Sequence, residues 1–154
     1  MEDLALFLHL TGALGFVAGI VLAAAAFENA RRRWSSAEIA LLLGLARWGA
    51  VLVAGGGLLL LTCGLWLVGL EDGVGFDTGW VDAALVLFAA VVVLGVLGGR
   101  RPRHARELAT RLAEDGRAGN PELRALLDDP FSRAANYASA ALVLAILALM
   151  AFKP

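Results

Sequence analysis

A chain of 154 residues that is 60% hydrophobic and 18% charged, with mean hydropathy +0.76, has too little polar surface for an ordinary water-soluble domain. Its net charge of -1 argues neither way about partners, because the charges are sorted by segment. One cysteine, Cys63, excludes an intramolecular disulfide.

Four apolar stretches, 4–27, 47–70, 80–99 and 134–152, each approach the ~20 residues that an α-helix needs to cross ~30 Å of hydrocarbon. They predict an all-α polytopic membrane protein, one four-helix domain over 1–154 with an antiparallel order of spans. Glu2 and Asp3, not Lys or Arg, precede the first stretch, which is also longer than a signal core, so it is expected to stay in the protein. The first stretch carries Gly12, Gly15 and Gly19, a small-residue face of the kind that lets helix backbones approach closely where lipid gives no hydrophobic drive. Glu28 closes it, and Arg47 opens the second stretch, so these two are expected to pair at the membrane boundary.

Between them, Ser35-Ser36-Ala37-Glu38 has the order of a capping box and predicts a helix start near Ser36. The second stretch contains Gly49, the run Gly55-Gly56-Gly57 and Gly64, which predicts a kink or a close helix crossing near Gly56. Gly95 and Gly99, four apart, mark a packing face on the third. The segment 100–133 is the one long polar loop. It predicts a short amphipathic helix over 103–115 with Leu108 and Leu112 on one face, then a second over 121–128 opened by Asn120-Pro121 and closed by Pro130. Acids interleave with its bases, as on a solvated face beside a membrane, so nucleic acid is not an expected partner.

Of 13 Lys and Arg residues, 12 lie in or beside the loops 28–46 and 100–133, while the second loop holds Glu71, Asp72 and Asp77 and no base. The positive-inside rule predicts that both basic loops are cytoplasmic and both termini outside, with Lys153 the one exception. Trp66, Trp80 and Phe152 then fall at the outer boundary, and Trp34, Trp48, Phe131 and Tyr137 at the inner one.

Ionisable side chains at depth are the usual pointer to function in a membrane. His9, Cys63 and Asp82 fall in the outer third of three different spans, with Thr11 and Thr62 nearby. A His, a thiol and a carboxylate suit copper or zinc chemically, although their spacing is not a metal motif. Cys63 reads first as a small packing residue, and His9 first as a group bonded to a neighbouring helix. A haem held by two histidines would need His9 from two copies, since His104 lies in the loop. No nucleophile–base set, phosphate loop or catalytic carboxylate pair is visible.

The segments Leu8-His9-Leu10-Thr11-Gly12-Ala13 and Thr62-Cys63-Gly64-Leu65-Trp66-Leu67, with the ending Leu147-Ala148-Leu149-Met150-Ala151-Phe152-Lys153-Pro154, resemble a bacterial family of four-helix predicted integral membrane proteins of unknown function. That resemblance covers nearly the whole chain and implies a bacterial cell membrane. More distantly, a His in the first helix is similar to that of copper-resistance D-type and HemJ-type membrane proteins, which implies copper or haem handling through His9. The basic residue that HemJ-type proteins carry deep in a later helix has no counterpart here. Two functions follow: a non-enzymatic scaffold or accessory subunit packing through Gly12, Gly15, Gly19, Gly56, Gly64, Gly95 and Gly99 against itself or a larger complex, or a copper- or haem-handling protein using His9.

Overall fold

The computed structural model describes residues 2–70 and 79–152. The acids Glu71, Asp72 and Asp77 of the second loop, and Lys153, lie outside the described residues.

The chain is all-α. Helix α1 runs over Glu2–Arg31, α2 over Ser36–Leu70, α3 over Gly79–Gly98, α4 over Arg100–Glu114, α5 over Pro121–Leu127 and α6 over Pro130–Phe152. Four helical stretches are long and apolar enough to cross a membrane, built on α1, α2, α3 and α6. Acids Glu2 and Asp3 in the first turn of α1 and Arg31 in its last complement the helix dipole. At 1.5 Å per residue, α1 and α2 are about 45 and 52 Å long, well beyond ~30 Å of hydrocarbon. The surplus has its own packing, because the start of α2 and the end of α1 meet α4 and α5. There Ile39, Leu43 and Ala30 close against Ala105, Ala109, Leu112, Leu123 and Leu127 in one buried cluster. We call this end of the molecule the collar.

Away from the collar, the fold is two helix hairpins. α1 and α2 lie against each other along most of their length, and α3 pairs with α6, while α1 and α6 touch only sparsely. A cluster of Phe16, Val91, Val143 and Ile146 joins the hairpins. The Phe16 and Phe88 rings meet across it with centroids 5.7 Å apart and planes tilted by 36°, within the range of favourable aromatic pairs. Large side chains such as Phe7, Leu14, Leu58 and Val86 point outward, from 65% to 73% exposed. Such outward-facing apolar side chains suit a lipid surround.

Local sequence explains the short elements. Asn120 sits in an extended conformation and its side chain accepts from the Leu123 backbone N–H at 2.8 Å, with Pro121 at the first helical position. Gly116, after α4, takes φ 64°, a left-handed value that glycine adopts without a Cβ clash. α4 begins at Arg100, three residues before the expected start at Arg103, and its buried face is Ala105, Ala109 and Leu112, with Leu108 half-buried. α2 starts at Ser36, where the sequence placed it. The Ser36 hydroxyl donates to the Arg117 carbonyl, and the Ile39 N–H closes the first turn on the Ser35 carbonyl at 3.0 Å. α2 also runs unbroken through Gly55-Gly56-Gly57.

Candidate functional site

The backbone contact between α1 and α2 is the setting of His9. A Cβ placed on Gly12 would stand 2.6 Å from the Leu60 nitrogen, one on Gly19 2.6 Å from the Gly49 carbonyl, and one on Gly56 2.5 Å from the Phe16 nitrogen. Only hydrogen fits at these three positions, so the two backbones touch directly. His9 lies one turn before Gly12 on the same face. Its imidazole covers Gly64, whose Cβ position is 3.0 Å from the ring, and its Nδ1 donates to the Leu60 carbonyl at 3.0 Å. Gly64 thus clears the space that the half-buried ring fills.

The other polar groups at this depth are arranged separately. Thr11 donates to the Phe7 carbonyl at 2.8 Å and Thr62 to the Leu58 carbonyl at 2.9 Å, each within its own helix. Cys63 is buried, and Asp82 is exposed in the first turn of α3. Among the described residues no three His, Cys, Asp or Glu side chains stand together as a metal-holding group, so His9, Cys63 and Asp82 are not brought into one cluster.

The remaining glycines divide. Gly15 has only the Gly56 Cα near its Cβ position, at 3.7 Å. Gly95 has nothing within 4 Å, and Gly99 meets backbone carbonyls of its own preceding turn, first that of Gly95 at 2.8 Å. The close contact between α3 and α6 is made by Gly98, whose Cβ position is 2.8 Å from the Ala135 Cβ. Sequence spacing pointed to Gly95 and Gly99, because the rotation of α3 about its axis is invisible in a run of apolar residues.

At the collar, Glu28 does not pair with Arg47. Its carboxylate faces Arg31 at 3.4 Å and Arg32 at 3.8 Å, and Arg31 also reaches Asp128 at 2.9 Å. Glu28, Arg31 and Arg32 are neighbours on one helix face, whereas Arg47 lies more than two turns inside α2. Arg124 of α5 donates to the carbonyls of Arg31 and Arg33, which closes the C-terminal end of α1 with a cation.

Asp129 is the N-terminal cap of α6. It accepts from the Ser132 backbone N–H at 2.9 Å and the Ser132 hydroxyl at 2.8 Å, and faces Arg101 of α4 at 3.2 Å. It precedes the membrane-spanning part of α6. The Ser132 backbone N–H holds its carboxyl below the ordinary value of 3.8, helped by the Ser132 hydroxyl and the Arg101 charge and opposed by burial. Sequence reading missed Arg124 and Asp129, though Asp129-Pro130 repeats the Asn120-Pro121 pattern that was recognised.

No curated protein and no solved structure matches the chain. Nothing in the comparisons carries the more distant likeness to copper-resistance D-type or HemJ-type proteins. A family model does match residues 3–154, a span that includes all four membrane-crossing helices and the collar, and the chain belongs to that family, described as "Predicted integral membrane protein (DUF2269)".

Proposed function

We propose that this is a non-enzymatic scaffold or accessory subunit of a bacterial cell membrane, with loops 28–46 and 100–133 cytoplasmic and both termini outside. One observation carries the non-enzymatic part. The polar side chains at depth in α1 and α2, His9, Thr11 and Thr62, are bonded to backbone carbonyls of the protein itself, and Cys63 is buried. Such groups hold helices together and keep polar atoms satisfied in lipid. The distribution of 12 of 13 bases supports the orientation. A scaffold is expected to migrate in a native membrane extract as part of an assembly heavier than its own 16.1 kDa. A monomer in extracts and in nanodiscs alike overturns the reading.

A second reading rests on the His9 tautomer. A carbonyl only accepts, so the bond to Leu60 puts a proton on Nδ1; in the neutral ring Nε2 then keeps its lone pair, the arrangement common among metal-bound imidazoles. Copper or haem held there needs a further donor from a second copy or another protein. Elemental analysis and an absorption spectrum of the purified wild type and His9→Ala separate the readings. The scaffold predicts neither stoichiometric metal nor a haem band in either protein. Metal or haem present in the wild type and lost from His9→Ala supports the second.

A further inference from the structure

We propose that a cleft between α1 and α6, at the collar end of the two spans, binds the headgroup of an anionic membrane phospholipid. The cleft encloses about 230 Å³. It lies between helices that touch only sparsely.

Its two walls differ in chemistry. Arg133, Asn136 and Tyr137 line the α6 side. Their spacing of i, i+3 and i+4 puts all three on one helix face. None of the three side chains has a hydrogen-bond or ion-pair partner among the described residues. Together they offer a guanidinium, an amide and a phenol, the donors that a phosphate diester takes. On the α1 side Ala24, Ala25 and Phe27 form an apolar stretch, and Glu28 and Arg31 lie beyond it at the end of the helix.

Charge selects the ligand. Glu28 and Arg31 also line the cleft, but they are bonded to each other, Glu28 also to Arg32 and Arg31 also to Asp128. Arg133 is therefore the uncommitted charge of the cleft, and a single negative charge answers it. One exposed cation is a weak site for free phosphate in water, where ion pairs contribute little. A phospholipid adds an acyl chain along Ala24, Ala25 and the Tyr137 ring, and arrives already concentrated in the bilayer. The Tyr137 position suits this too, since aromatic rings with a polar tip favour headgroup depth.

The test is native mass spectrometry of the delipidated full chain in non-ionic detergent with added phosphatidylglycerol. The wild type is expected to keep one lipid through activation, and Arg133→Gln to reduce retention by about five-fold, the effect of one ion pair. Ala25→Phe, which fills the apolar wall, is expected to lower retention similarly. Neither position makes a side-chain bond among the described residues, so both variants should melt with the wild type. A diacylglycerol of the same chains should not be retained, and millimolar inorganic phosphate should not displace the lipid. Wild-type retention in both variants overturns the proposal. Equal retention of the diacylglycerol overturns it too, as does displacement by phosphate, which would mark a soluble-anion site.

Discussion

The guanidinium of Arg124 lies over the Trp34 ring, 4.2 Å from its centroid, while donating to the carbonyls of Arg31 and Arg33. One side chain of α5 thus closes the end of α1 and covers the exposed indole that follows it. The stack and the charged hydrogen bonds together are worth about 2 kcal/mol. Arg124→Ala is expected to lower the melting temperature in detergent and to speed proteolysis between residues 115 and 120. Arg124→Lys should recover only part of the loss, since an ammonium lacks the planar fork that serves two carbonyls and a ring at once. Unchanged melting and proteolysis in Arg124→Ala would show that the collar is held by its apolar cluster alone.

Glycines on one face of α1 should not be equivalent. Gly19→Ala drives a Cβ to 2.6 Å from the Gly49 carbonyl, so the helices must separate, at a cost of about 1–3 kcal/mol. Gly15→Ala meets only the Gly56 Cα at 3.7 Å and should change stability by less than about 0.5 kcal/mol. Equal melting temperatures for the two variants would contradict this geometry.

Asp129 makes the collar sensitive to acid. Its carboxyl titrates lower in the folded protein than the ordinary 3.8, so its stabilisation is complete above that value and is lost as pH falls through the folded value. Asp129→Asn should be less stable than the wild type at pH 7 by about 1 kcal/mol, the scale of a lost charged cap. The difference should shrink below about pH 4. A difference that stays constant from pH 7 to pH 3 would remove the carboxylate's charge from the explanation.

Orientation is open to a direct measurement. A reporter fused after Pro154 is expected to be active only outside the cytoplasm, following the 12 bases that flank two of the loops. Activity in the cytoplasm reverses the topology and moves the collar to the outer face.

The four spans were legible because length and apolarity are additive properties of a segment, and Asn120-Pro121 was legible because a cap acts on its own next turn. What failed needed the third dimension. Glu28 and Arg47 flank one loop in sequence, yet α2 starts eleven residues before Arg47, so the pair is separated by more than two helical turns. His9, Cys63 and Asp82 form no metal-holding group among the described residues, and spans that are apolar on all sides give no phase to their rotation. Gly19 and Gly56 were readable as packing residues; that Gly98, rather than Gly95, meets α6 was not.

The direct backbone contact of α1 with α2 has a mechanical consequence. Helices separated by a layer of long side chains can slide, because those side chains change rotamer. At Gly12, Gly19 and Gly56 the backbones meet with no side chain between them to rearrange. In a thinner or thicker bilayer such a pair is expected to tilt as one plank rather than slide, tied to α3 through the Phe16–Phe88 contact.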